Sequence, residues 1–141
     1  MSRTPRGDAA WSATVAPSLD DFAALAEAAL AALPAPFRDM VGDVRMQVAD
    51  FADQDLLDEM GIPDAFELTG VYEGVDLRHR SVLDPQPEAA TVTLFRRPIL
   101  DEWAERGDTP LGELIAHVLV HEIGHHFGLS DDDIDRVEAA P

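Results

Sequence analysis

The chain has 141 residues, 46% of them hydrophobic, which is enough to bury the core of one domain. Its 28 acidic and 10 basic residues give a formal charge of −18. This charge repels phosphate groups, so it argues against nucleic acid and anionic membranes as partners, and the absence of cysteine excludes disulfides and thiolate metal ligands.

The N-terminal segment 1–17 consists mainly of small and polar residues, which predicts a flexible tail in front of a single domain at 18–141. No continuous apolar stretch follows its arginines, so the segment does not have the pattern of a signal peptide. No apolar run reaches the roughly 18 residues of a membrane span. A cytoplasmic location is therefore the default expectation.

The first predicted helix follows this tail. Ser18 and Asp21 have the spacing of a capping box, in which each side chain accepts a hydrogen bond from the other residue's backbone. Apolar residues then repeat at helical spacing until Pro34, which ends the helix.

Two strands and a short helix are predicted next. Segment 43–52 alternates apolar and polar residues, as a half-buried strand does. Segment 53–61 predicts a short helix that ends at its glycine. Segment 66–77 predicts a broken strand, with bends or bulges at Gly70 and Gly74.

The strongest strand signal is 91–98, which follows a loop predicted at 84–88. This strand ends at Pro98, a residue that also suits the first turn of the next helix. We expect 91–98 to be an edge strand with free main-chain groups, to which an extended segment could add by hydrogen bonds.

The last long helix is predicted to start with Thr109 as N-cap and Pro110 at the first helical position, and to end at Gly128. An apolar face runs along it. The order of the elements predicts an α+β domain, with a small mixed sheet covered on one side by helices.

Residues 121–125 of this helix read His-Glu-Ile-Gly-His. His121 and His125 lie one turn apart, so both imidazoles can reach one ion at about 2.0–2.1 Å. Glu122 projects to the flank, where we expect it to contact a water activated by the metal and to take its proton. This is the chemistry of the H-E-x-x-H motif, and the alternative is a chance match of helix-end histidines.

The motif extends to H-E-x-x-H-x-x-G-x-x-D. Gly128 permits a left-handed turn, after which Asp131 can return to the ion as a third ligand. Alternatively, Ser130 and Asp133 form the capping box of a C-terminal helix, and both arrangements can hold at once. Asp132, Asp133 or a water are the other candidates for the third position.

The stretch "HEIGHHFGLSDDD" at 121–133 resembles the small bacterial zincin-like metallopeptidases, with weaker support from "VYEGVDL" (71–77) and "LFRRPI" (94–99). The resemblance spans roughly 18–139 and implies a minimal zincin fold with the motif helix near its C-terminus. It implies a zinc-dependent peptidase with these site residues: ligands His121, His125 and Asp131, and general base Glu122. None of the four methionines follows the motif, so the methionine turn of metzincins is not matched.

An enzyme and a binding module are both compatible with this motif. A zinc-dependent hydrolase leaves one coordination position open, whereas a metal-bound structural module closes it with a fourth protein ligand. The intact Glu122 favours the enzyme, because a structural site has no need of a base.

Several further residues lie near the motif in the sequence or could be brought to it by folding. His126 shares the flank of Glu122 and either hydrogen-bonds the base or an oxyanion, or faces solvent. Tyr72 either stabilises an oxyanion or packs in the core. His117 extends the histidine stripe by one turn, and Trp103 is expected to be a core residue. A basic cluster either makes surface ion pairs or binds a substrate carboxylate; its residues are Arg78, His79 and Arg80.

Overall fold

The computed structural model describes residues 11–42, 44–74 and 90–128. The α+β prediction is confirmed, because these ranges hold helices and one three-stranded mixed sheet. Within them, no helix has the length and apolarity that crossing a membrane requires. The elements in chain order are α1 (Leu19–Ala31), α2 (Ala35–Met40), β1 (Arg45–Ala49), α3 (Gln54–Met60), a 3₁₀ turn (Ala65–Glu67), β2 (Gly70–Glu73), β3 (Thr91–Phe95), α4 (Arg96–Arg106) and α5 (Leu111–His126).

The predicted capping box starts α1. The Asp21 amide donates to Ser18 Oγ at 3.1 Å, and the Ser18 amide donates to the Asp21 carboxylate at 2.8 Å. Phe22 and Ala26 are fully buried on the inner face of this helix. The helix ends before Pro34, as predicted, but Pro34 then starts the short helix α2, which the sequence analysis did not predict.

The sheet has the strand order β1-β3-β2. β1 is parallel to β3, and β2 is antiparallel to it. The prediction that 91–98 is a free edge is therefore wrong, because strands on both sides use the main-chain groups of β3. The strand is also shorter than predicted: α4 begins at Arg96, and Pro98 lies in its first turn, where a missing N–H costs little.

Two apolar clusters lie on opposite faces of the sheet because side chains alternate along β3. Val92 and Leu94 are buried in the main core together with residues of α1 and α5. Phe95 packs with Val71 and Leu57 in a smaller cluster on the other face. The sheet is thus covered by the long helices on one face, as predicted, while the short helix α3 contributes to the second face.

The predicted β1 and α3 are confirmed, and α3 ends at Gly61, which has the left-handed φ of 68°. In β2 the prediction for Gly70 is wrong, since Gly70 is the first paired residue of the strand, opposite Leu94. Gly74, directly after the strand, has a φ of 145°, which favours glycine. The predicted loop 84–88 lies outside the described residues.

The helix α5 starts one residue later than predicted. Pro110 is its N-cap, and the Thr109 hydroxyl contacts the Asp108 carboxylate instead of capping the helix. Its predicted end is confirmed: Gly128 has a φ of 79°, and its N–H donates to the His125 carbonyl at 2.9 Å. Residues 11–17, the described part of the predicted tail, are mostly exposed.

Candidate metal centre

One stripe of α5 lies against β2. Val118, Glu122 and His126 are spaced four residues apart and therefore share one side of the helix. A Cβ atom on Gly70 would lie 3.0 Å from Val118 Cγ1 and 3.3 Å from Glu122 Cγ. Further along the strand, the Tyr72 hydroxyl lies 3.0 Å from Nδ1 of His126. β2 thus contacts this stripe along its whole length.

His121 and His125 lie beside that stripe on a more exposed side of α5. Their ring centroids are 5.3 Å apart, with an angle of 84° between the ring planes. Together with Glu122 they form a half-buried group whose ligand atoms all lie within 4.8 Å of one another. Two nitrogens on one zinc ion, each at 2.0–2.1 Å, cannot be more than about 4.2 Å apart. Small side-chain rotations therefore suffice, and these residues could hold a metal ion.

Glu122 lies closer to the histidine pair than its predicted flank position suggests. Neighbouring helix residues point about 100° apart, but the glutamate side chain is long enough to turn its carboxylate towards the pair. Its Cγ meanwhile packs beside Gly70 on β2. Two chemical roles are open to this carboxylate, that of a metal ligand and that of a proton acceptor.

A pocket of about 200 Å³ opens next to this group. His121 and Glu122 belong to both the pocket and the group, whereas His125 belongs to the group alone. The wall opposite α5 comes from α4 and from the residue before β2, none of which the sequence analysis selected. The lining residues are Thr69, Glu102, Arg106, His117, Val118, His121 and Glu122.

The structure also shows the surroundings of several neighbouring residues. His126 is fully buried, so the prediction of a solvent-facing histidine is wrong; its Nδ1 lies 3.0 Å from the Tyr72 hydroxyl. Tyr72 and Trp103 pack against the main core, as their structural interpretations predicted. His117 is exposed and lines the pocket.

The remaining site predictions lie outside the described residues. They are the candidate third ligands and the basic cluster, namely Asp131, Asp132, Asp133, Arg78, His79 and Arg80.

A family model described as zincin-like metallopeptidase matches residues 41–140, which is most of the chain. The chain belongs to this zincin-like family. The match covers all three strands and the histidine-bearing helix, so the resemblance deduced from the sequence is confirmed. A comparison with curated proteins found no match for this zincin-like chain.

In this zincin-like protein, Gly70→Ala is expected to displace Glu122. The added Cβ would also lie 3.3 Å from the Thr93 carbonyl oxygen, which is backbone and cannot move aside easily. Overpacking of this kind costs about 1–3 kcal/mol of folding free energy. We expect that loss in urea unfolding, together with a fall of roughly tenfold in any hydrolytic kcat, because small displacements of catalytic groups reduce rates strongly.

Gly112→Ala is the matched control for this prediction. Gly112 lies in α5, the helix that carries Glu122. A Cβ at Gly112 would lie 3.8 Å from Leu25 Cδ2 of α1, which is an ordinary van der Waals contact. This variant is expected to keep the parent's kcat and to be at least as stable as the parent, because alanine is a better helix former than glycine. A Gly70→Ala protein with the stability and kcat of the parent would show that Glu122 does not depend on this close approach.

Proposed function

We propose that the protein is a zinc-dependent hydrolase that acts on peptides. The observation that carries this proposal is the half-buried group of His121, Glu122 and His125 in a chain of the zincin-like metallopeptidase family. The chain has no cysteine, so its metal ligands must be imidazole nitrogens and carboxylate oxygens. Zinc accepts both kinds of ligand in catalytic sites, and it is therefore the proposed metal.

Each residue of the group has a distinct role in the proposed reaction. His121 and His125 hold the ion through neutral imidazole nitrogens. When bound, zinc acidifies a water molecule and polarises the substrate carbonyl. Glu122 takes the proton of the attacking water and passes it to the departing amine. The close approach of Gly70 to Glu122 Cγ supports this role, because it leaves little room on the β2 side of the side chain.

Asp131 is the proposed third ligand. The left-handed Gly128 supports this role, because the chain leaves the axis of α5 there, three residues before Asp131. We expect Asp131→Ala to weaken zinc affinity more than Asp133→Ala, which would mainly remove a helix cap worth about 1 kcal/mol. Zinc titration against a competing chelator, with urea unfolding in parallel, measures both effects. The opposite ranking would assign the ligand to Asp133.

The proposed function is tested by metal analysis combined with a peptide library. Protein purified without added metal is expected to contain one zinc per chain and to cleave some library peptides. Removing the metal by chelation should abolish cleavage, and adding zinc back should restore it. Stoichiometric zinc without cleavage of any peptide would instead indicate a metal-bound structural or binding module.

A further inference from the structure

The side chain of Arg106, the last residue of α4, is oriented by Glu102 one turn earlier. Its Nε donates to Glu102 Oε2 at 2.8 Å, and its Nη2 lies 2.8 Å from the same oxygen. A guanidinium group has five N–H donors. Within the described part of the chain, this contact uses the N–H of Nε and one N–H of Nη2. The two donors of Nη1 and the second donor of Nη2 are left for a ligand.

Arg106 lines the pocket that contains His121 and Glu122. An arginine with donors left for a ligand therefore lies beside the proposed reaction centre. At about 200 Å³ the pocket is smaller than those of drug-sized ligands, which start near 300 Å³. It can take one side chain or the end of a chain. Among the described residues of its lining, Val118 is the one aliphatic side chain, so the expected occupant is polar.

In the described lining of the pocket, an anionic occupant would depend on Arg106, which is the one arginine beside two carboxylates. Both carboxylates already have other roles, since Glu102 orients Arg106 and Glu122 is the proposed base. The outer edge of a guanidinium group matches a carboxylate in a two-point hydrogen-bonded contact. The exposed pair of Glu102 and Arg106 contributes little to folding on its own, whereas a guanidinium held in one orientation binds a carboxylate with a smaller loss of side-chain entropy.

We propose that this pocket binds a carboxylate of the substrate close to the bond that is cleaved. Arg106 binds the carboxylate, and Glu102 is a positioning residue that orients the guanidinium group. The proposal rests on the proposed hydrolase function, because it defines the substrate class of that site: peptides with an acidic side chain or a free C-terminus next to the cleaved bond.

Matched peptides test the proposal. One pair carries Glu or Gln beside the cleaved bond, and a second pair ends there in a free carboxylate or an amide. Affinities are measured by calorimetry on zinc-loaded Glu122→Gln protein, which keeps the peptides intact, and kcat/KM is measured on the parent. About 0.15 M salt screens the long-range repulsion by the acidic chain. If only the Glu/Gln pair differs in affinity, the bound carboxylate is an acidic side chain. If only the second pair differs, it is the C-terminus of the peptide.

We expect the carboxylate peptide of one pair to bind about tenfold more tightly than its neutral partner. Arg106→Gln should abolish this preference by lowering the affinity for the carboxylate peptide to about that for its neutral partner. Arg106→Lys, which keeps the charge without the planar fork, should retain part of it. Glu102→Asp keeps the charge but shortens the side chain that orients the guanidinium group, so it should reduce the preference several-fold. Arg45→Gln, at an exposed arginine on β1, should not change the preference.

The outcomes separate this proposal from the hydrolase itself. Peptide cleavage without any carboxylate preference, or a preference that survives Arg106→Gln, would overturn the subsite and leave the hydrolase in place. An Arg106-dependent preference in binding, in a protein that cleaves nothing, would support the subsite and contradict the peptidase.

Discussion

Glu122→Gln is expected to keep zinc and to lose peptide hydrolysis by about 10²-fold or more. The amide is close in shape to the carboxylate and can pack against Gly70 in the same way, but it cannot accept a proton from water. Its position within 4.8 Å of the histidine ligand atoms gives the carboxylate the reach that a base requires. Zinc content by mass spectrometry and cleavage rates of a library-derived peptide measure the two expectations.

The same experiment separates the two roles that the geometry leaves open for Glu122. If it is a ligand, the substitution should lower zinc affinity together with activity; if it is the base, activity falls alone. Glu113→Gln is the control, because Glu113 is an exposed glutamate in the first turn of the same helix. Unchanged turnover in Glu122→Gln would assign the base to another residue.

Replacing both His121 and His125 with alanine is expected to abolish stoichiometric zinc binding. Two of the three residues in the candidate metal group are then lost, and one carboxylate cannot replace two imidazoles. Both side chains are only half-buried, so the helix should still form, which circular dichroism can verify. Mass spectrometry after dialysis measures the remaining metal.

His117→Ala is the control for the double variant. His117 lies one turn before His121 and lines the pocket, but it is not part of the candidate metal group. It is expected to keep one zinc per chain. Zinc that remains bound in the double variant would place the metal site elsewhere in the chain. Loss of zinc from His117→Ala would identify His117 as a further ligand, which would close the coordination sphere.

Short-range signals in the sequence were enough to predict most elements and the histidine pair. The capping box of Ser18, the glycine end of α3 and the left-handed Gly128 each depend on a few neighbouring residues. The one-turn separation of His121 and His125 is likewise a property of any helix. Their proximity therefore follows once α5 is predicted, whatever the rest of the fold is.

Element boundaries were predicted less well where two local preferences compete. Arg96 and Arg97 continue the apolar strand in the sequence, yet they form the first turn of α4. In the structure the Arg96 guanidinium group bonds Asp50 and the Pro17 carbonyl, at 2.7 and 2.8 Å. These partners are far away in the chain, so no local pattern contains them.

The strand order and the surroundings of the candidate metal group were decided by tertiary structure alone. β3 is central because β1 and β2 pair with it from distant parts of the chain, and alternation along a strand is the same at an edge and in the middle. His126 is buried because β2 lies under its side of α5. Glu102 and Arg106 form an ordinary helix pair in the sequence, and only the packing of α4 beside α5 brings them to the pocket.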